Sequence, residues 1–227
     1  MAPRPKPQKN PLFTEQYWAR EPPSKKGDPD PNIIAQAVGH ALSRWEQADW
    51  ALADLFLLMS ECMGTNSYNA VRRAYGSIES NSGRRNAVLA AAEIYFGAYW
   101  ENKFVKQSLQ DIINAVGWAS RRRDDIAHGI IWGNIVVDHV SYGAFLFPPE
   151  YNTGRTLAFM ADTPDPLRFM RTKYRYTAAN IAKWGSKFTK LRDAIIDYFK
   201  AIKREDGRFP VLEARLEPLM DRAEKKR

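Results

Sequence analysis

From Ile34 onward, apolar residues return every three or four positions: Ile34, Val38, Ala41, Leu42, Trp45, Ala48, Leu52, Leu55, Phe56, Met59 and Cys62. That period predicts one amphipathic helix of roughly 30 residues, about 45 Å long, ending near Gly64. Asp30 and Pro31 supply its N-cap and first-turn residue. Val71, Tyr75 and Ile78 mark a second helix that breaks at Asn81-Ser-Gly83, and an Ala-rich third helix starts near Arg84. A fourth spans about 104 to 128, with Val105, Leu109, Ile112, Ile113, Val116 and Ala119 facing the core and Gly129 as its stop.

The pattern then shifts to β-rich runs, from Ile135 to Tyr142, from Gly143 to Phe147 and from Arg155 to Met160, which predict a small antiparallel meander of two or three strands. The helical period returns after Pro164 and Pro166 with Ile181, Trp184, Phe188, Leu191, Ile195, Tyr198 or Phe199, and Ile202, capped by Thr177. Leu212, Leu216, Leu219 and Met220 suggest a short helix before the basic end. Upstream, residues 1–31 hold 8 of the 14 prolines and nearly cancelling charges. They predict an extended arm on which Leu12, Phe13, Tyr17 and Trp18 are the docking residues. The expected layout is therefore an arm over 1–31, a mainly α domain over 32–204 with a β insertion at 130–162, and a basic tail over 205–227.

At 227 residues the chain is long enough for a sizeable core. Lys+Arg 34 against Asp+Glu 26 gives a net charge of +8, which favours a polyanionic partner. The single cysteine, Cys62, excludes an internal disulfide framework and a Cys-based zinc site, and fits a reducing cytoplasm. The first residues carry no apolar stretch of signal-peptide type, and the chain has no run of 18 apolar residues, so secretion by that route and membrane association are not expected.

The densest chemistry is Trp118-Ala-Ser-Arg-Arg-Arg-Asp-Asp-Ile-Ala-His-Gly129, with three arginines, two aspartates and a histidine closing an otherwise apolar helix. At 100° per residue Arg123 and His128 lie about 140° apart, whereas Arg121 lies about 20° from His128. Arg123, four residues, then His128 resembles the signature of HEPN domains (higher eukaryotes and prokaryotes nucleotide-binding). Asp124 stands where many members have Asn, and Ala127-His128-Gly129 is a frequent local form. The order of helices over about 32 to 204 resembles the family too, while the β insertion departs from a minimal bundle.

The resemblance implies a HEPN-like bundle of four or more helices and a metal-independent endoribonuclease that works as a homodimer. A toxin or a stress or phage-defence effector is the candidate role, and an antitoxin or operon partner the candidate companion. Residue chemistry leads to the same reaction. Cleaving RNA through its own 2′-hydroxyl needs a base, an acid and positive charge on the phosphorane-like transition state. His128 titrates in the range suited to either proton role, and Arg123 is a bidentate phosphate clamp. Asp124 and Asp125 are better placed to orient arginines than to act as acids. Which of Arg121, Arg122 and Arg123 faces a cleft is open at this level. One chain offers one such histidine, so two copies about a two-fold axis would complete the set.

A second cationic region runs from Arg168 to Arg192, with eight basic residues and no acidic one. Arg171, Lys173 and Arg175 alternate with Thr172, Tyr174 and Tyr176, and Lys183, Lys187 and Lys190 fall opposite the apolar stripe of the last long helix. The pattern predicts a track for single-stranded RNA, cations on phosphates and tyrosines available for stacking. No cofactor is expected. Asp138 and His139 with His128 lack the spacing of a metal site, His40 suits a surface or a packed position, Glu46 suits an exposed face with orienting an arginine of the motif helix as its alternative, and Trp184 and Phe188 suit the core. The competing function class is a non-catalytic module that binds RNA, a nucleotide or a partner protein through the same residues.

Overall fold

The computed structural model describes residues 10–149, Leu167, 172–203 and Leu216, leaving aside the side chains of Tyr99 and Glu101. Among the described residues the protein is mainly helical with one two-stranded antiparallel sheet. The helices are α1 (Pro31–Met59), α2 (Tyr68–Gly76), α3 (Asn81–Phe96), α4 (Lys103–Ala127) and α5 (Ala178–Ile202), and the strands β1 (Ile130–Val137) and β2 (Val140–Phe147). The predicted strand over 155–160 and most of the predicted C-terminal helix lie outside the described residues. No helix among the described residues is long and apolar enough to cross a membrane.

The chain divides into two compact units, each built from non-contiguous stretches. The first comprises Met1–Trp18, Gln47–Ser120 and Lys190–Arg227. Here α1 departs from the simple stripe. Ala48, Ala51, Leu52, Ala53, Leu55, Leu57, Leu58 and Met59 are all buried, so this half of the helix is enclosed on most sides. Phe56 stacks on Tyr75 of α2 with ring centroids 5.0 Å apart, and Arg84 of α3 pairs with Asp49. The residues expected to break the chain at 81–83 instead begin α3, because the Ser80 hydroxyl accepts the Gly83 N–H at 3.0 Å and caps the first turn. Residues 11–18 form two 3-10 turns that bury Leu12, Phe13 and Trp18, whose indole N–H donates to the Leu12 carbonyl at 2.9 Å. Leu12, Phe13 and Trp18 are core and Tyr17 is half-buried, and 3-10 turns stand at 11–18 where an extended arm was expected.

The second unit comprises Ala19–Glu46 and Arg121–Thr189. Asp30 caps α1 as expected, accepting the Asn32 N–H at 2.9 Å, and Trp45 packs edge-on against Phe188 of α5 at 5.5 Å. The hairpin differs from the sequence expectation. β1 starts directly after the motif helix, and Asp138-His139, expected inside a strand, form the turn, both with positive φ as a type I′ turn requires. A bulge around Gly133 and Asn134 shifts the register, so that Trp132 faces Phe145 and Ile135 faces Gly143. Along the other edge of β2, Asp28 pairs with Ala144 and Tyr176 pairs with Leu146. Gly27 is required there, since a Cβ would run into the Ala144 carbonyl. A packed cluster of Ile135, Phe145, Phe147 and Leu167 lies on one face of the hairpin.

The candidate site at the end of α4

The last seven residues of α4 belong to the second unit, and helical periodicity sorts them. Arg122, Asp125 and Ile126, at steps of three and one, are buried. Arg121, Ala127 and His128 are exposed, and Arg123 and Asp124 are half-buried. Arg122 points inward, whereas Arg121 and Arg123 share the outer side with Asp124 and His128. Arg123 Nη1 pairs with the adjacent Asp124 Oδ1 at 3.0 Å. The His128 N–H donates to the Asp124 carbonyl at 3.1 Å, which fixes the backbone from which the imidazole projects. Gly129 follows without a positive φ; its place is set by close approach, because a Cβ would meet Leu146 Cγ at 2.6 Å.

The inner side is an ionic junction. Asp125, only 1% exposed, accepts Arg20 Nε at 2.9 Å and Arg20 Nη2 at 2.9 Å, and Arg122 Nη2 stands 3.3 Å from its Oδ2. Tyr176 donates to the same carboxylate at 3.4 Å, and the Tyr174 hydroxyl donates to the Asp125 carbonyl at 2.8 Å. The hydrogen bond to Asp125 holds the Arg20 pKa above its ordinary value despite partial burial. Burial lowers that of Arg122, with Asp125 acting in opposition, and burial followed by the Asp125 charge raises the Tyr176 phenol. Asp125 therefore pairs with two arginines inside the fold.

The cationic stretch downstream is placed differently from the expected track. Tyr174 and Tyr176 are fully buried and stacked on one another at 4.6 Å, unavailable to bases in this structure. Arg175, 3% exposed, donates from Nε to the Ser24 carbonyl at 3.1 Å and from Nη1 to the Leu167 carbonyl at 3.4 Å. Lys187 is buried, with Nζ 3.9 Å from the Trp184 ring centroid. Glu21 lies 2.6 Å from Lys183 Nζ and 4.0 Å from Lys187 Nζ. The physical reason is the segment 20–28, which runs over these residues and supplies partners for them. Lys183 and Lys190 remain exposed, Lys173 is half-buried, and Arg171 lies outside the described residues.

Arg20, Glu21 and Asp28 were not legible as site-related. Asp28 Oδ2 accepts the Ala178 N–H at 2.7 Å, joining Thr177 at the start of α5. The one signal was the row of apolar arm residues, which marks a docked segment whose polar neighbours then need partners. Asp138 and His139 occupy the hairpin turn, and His40 and Glu46 are exposed. Among the described residues no three His, Cys, Asp or Glu side chains come together in a way that could hold a metal ion. Comparison with family models, with curated proteins and with solved structures finds no match for this chain.

Proposed function

We propose that the chain is a metal-independent endoribonuclease of HEPN type, a cytoplasmic protein acting as a homodimer, with the end of α4 as half of each composite site. The observation that supports this most is the outward projection of Arg121, Arg123, Asp124 and His128 from a helix end whose inner side is pinned by Asp125. Preorganised cations beside a titratable imidazole are what phosphodiester transesterification needs.

One histidine takes the proton of the 2′-hydroxyl, whose oxygen attacks phosphorus. The P–O5′ bond breaks, and the histidine of the second copy gives a proton to the departing oxygen. The products are a 2′,3′-cyclic phosphate and a free 5′-hydroxyl. Arg123, released from Asp124 by a competing phosphate, would carry the charge on the non-bridging oxygens. Arg121 is an exposed cation at the same helix end, and Lys183 and Lys190 are the exposed residues of the downstream track.

Purified protein and His128→Ala, incubated in EDTA with structured and single-stranded RNA, test this. Cleavage that survives EDTA, leaves cyclic phosphate ends and falls by about 10²- to 10⁴-fold in the variant is expected, with folding and dimerisation intact because His128 is exposed. Unchanged activity in His128→Ala sinks the mechanism. A binding module is favoured by one feature: Ile130, Trp132, Val136 and Val140, on the hairpin that follows His128, are exposed apolar side chains of the kind that dock a partner protein. RNA or protein binding without any cleavage product would support that reading.

A further inference from the structure

Because α4 ends at Ala127, the carbonyls of its last turn lack regular partners within the helix. The His128 N–H reaches the Asp124 carbonyl, and the Gly129 N–H reaches that of Ile126 at 3.4 Å. The Asp125 carbonyl is closed from elsewhere, by the Tyr174 hydroxyl 49 residues on. The same residue's carboxylate takes both arms of the Arg20 guanidinium, which also lies 5.5 Å from the Tyr174 ring centroid. The last turn is therefore gripped at the carboxylate and the carbonyl of one residue, by two segments that are not part of α4.

Arg122 and Arg20 differ in what their pairing with Asp125 can accomplish. Arg122 sits one turn earlier on the same helix, so its contact travels with the helix and places it against nothing. Arg20 stands on a separate segment, and that segment is itself tied down. Gly27 donates to the Tyr142 carbonyl at 2.7 Å, Asp28 exchanges backbone bonds with Ala144, and the Asp28 carboxylate meets the start of α5. A bidentate pair between such a segment and the helix fixes both distance and rotation.

We propose that Arg20, acting through Asp125, is a positioning residue for the polar end of α4, setting where Arg123 and His128 project. The proposal rests on the reading of that end as a ribonucleolytic half-site. Arg20 does not touch the RNA; it holds the helix that does.

The test uses the full chain with Arg20→Ala and Arg20→Lys. Arg20 is partly exposed and its segment keeps its other bonds, so both variants are expected to fold. Hydrogen exchange at the amides of His128 and Gly129 should quicken by about tenfold in Arg20→Ala, while the amides of Ile112 and Val116 are unchanged. RNA cleavage in EDTA should lose between about 10- and 100-fold in kcat at nearly constant KM. Arg20→Lys, which restores charge without the fork, should recover only part of both. Unaltered exchange at both amides overturns the proposal. So does a loss confined to KM, which would make Arg20 an RNA contact. If the unmodified protein cleaves no RNA, the nuclease reading fails by itself, and exchange still decides the positioning. Should the alanine variant not fold, Arg20→Lys decides by the same measurement.

Discussion

At the end of α4 three successive arginines are divided by one helix between inside and outside, whereas from Lys173 to Lys190 the cations are divided by partners that arrive from a distant part of the chain. In the first region 100° steps suffice: Arg122 turns in with Asp125, and Arg121 and Arg123 turn out. In the second, periodicity put Lys183, Lys187 and Lys190 on one face, and yet Lys187 is buried while Lys190 is exposed. Within the second unit Lys187 lies over the Trp184 ring and 4.0 Å from Glu21, whereas Lys183, only 2.6 Å from the same carboxylate, stays exposed. Helical phase predicts direction, but burial of a cation is decided by what else lies in that direction.

The sharpest way to break this comparison is at its inner side. Asp125→Ala leaves Arg20 and the buried Arg122 without their shared carboxylate, and should destabilise the protein by about 3–5 kcal/mol in denaturant unfolding. Asp124→Ala, one residue away on the outer side, should shift stability by less than about 0.5 kcal/mol. Equal effects would mean that the helix end is not sorted as described.

A second probe uses the tyrosines. The phenols of Tyr75, Tyr176 and Tyr198 all have pKa values raised by burial above the ordinary 10.0. A raised folded-state value means that the folded chain holds protons which the unfolded chain releases. The stability these groups contribute is therefore fully present below about pH 10 and is lost as pH climbs from there toward the folded-state values. Tyrosinate absorbance should appear in two stages, exposed phenols first and buried ones only with unfolding. Smooth titration of every tyrosine before unfolding would show that Tyr176 is not enclosed beside Asp125.

Much of the helical frame was legible because its determinants are local. The stripe on α5 named the buried Ile181, Trp184, Phe188, Leu191, Ile195 and Ile202, and left only Tyr198 against Phe199 for packing to settle in favour of Tyr198. Asp30 announced α1, and α4 lies within a residue of its expected ends. The hairpin was misplaced because Asp138-His139 make a two-residue turn without glycine, inside a run whose β-branched neighbours look continuous. At the site, the residue types and their helical phase were visible, but which side of α4 turns inward was not. Arg20, Glu21 and Ser24 find partners 105 to 166 positions away in chemistry that carries no local period. The alternation of Arg175 with Tyr174 and Tyr176 was real, but both of its faces turned out to be covered.

The finest contrast lies within the downstream cations. Arg175→Ala removes a buried guanidinium and its hydrogen bonds to the Ser24 and Leu167 carbonyls, and should cost about 2–3 kcal/mol of stability. Lys190→Ala should cost less than about 0.5 kcal/mol, since the side chain is exposed. RNA binding should reverse the order. If Lys190 meets a phosphate, its removal lowers the log-log salt slope by about 0.7, while Arg175→Ala, measured where it is still folded, leaves the slope unchanged. A smaller slope in Arg175→Ala would require the segment over 20–28 to lift away from Arg175 when RNA binds. The covered cations would then belong to the track after all, and the distinction between the two regions would hold only for the free protein.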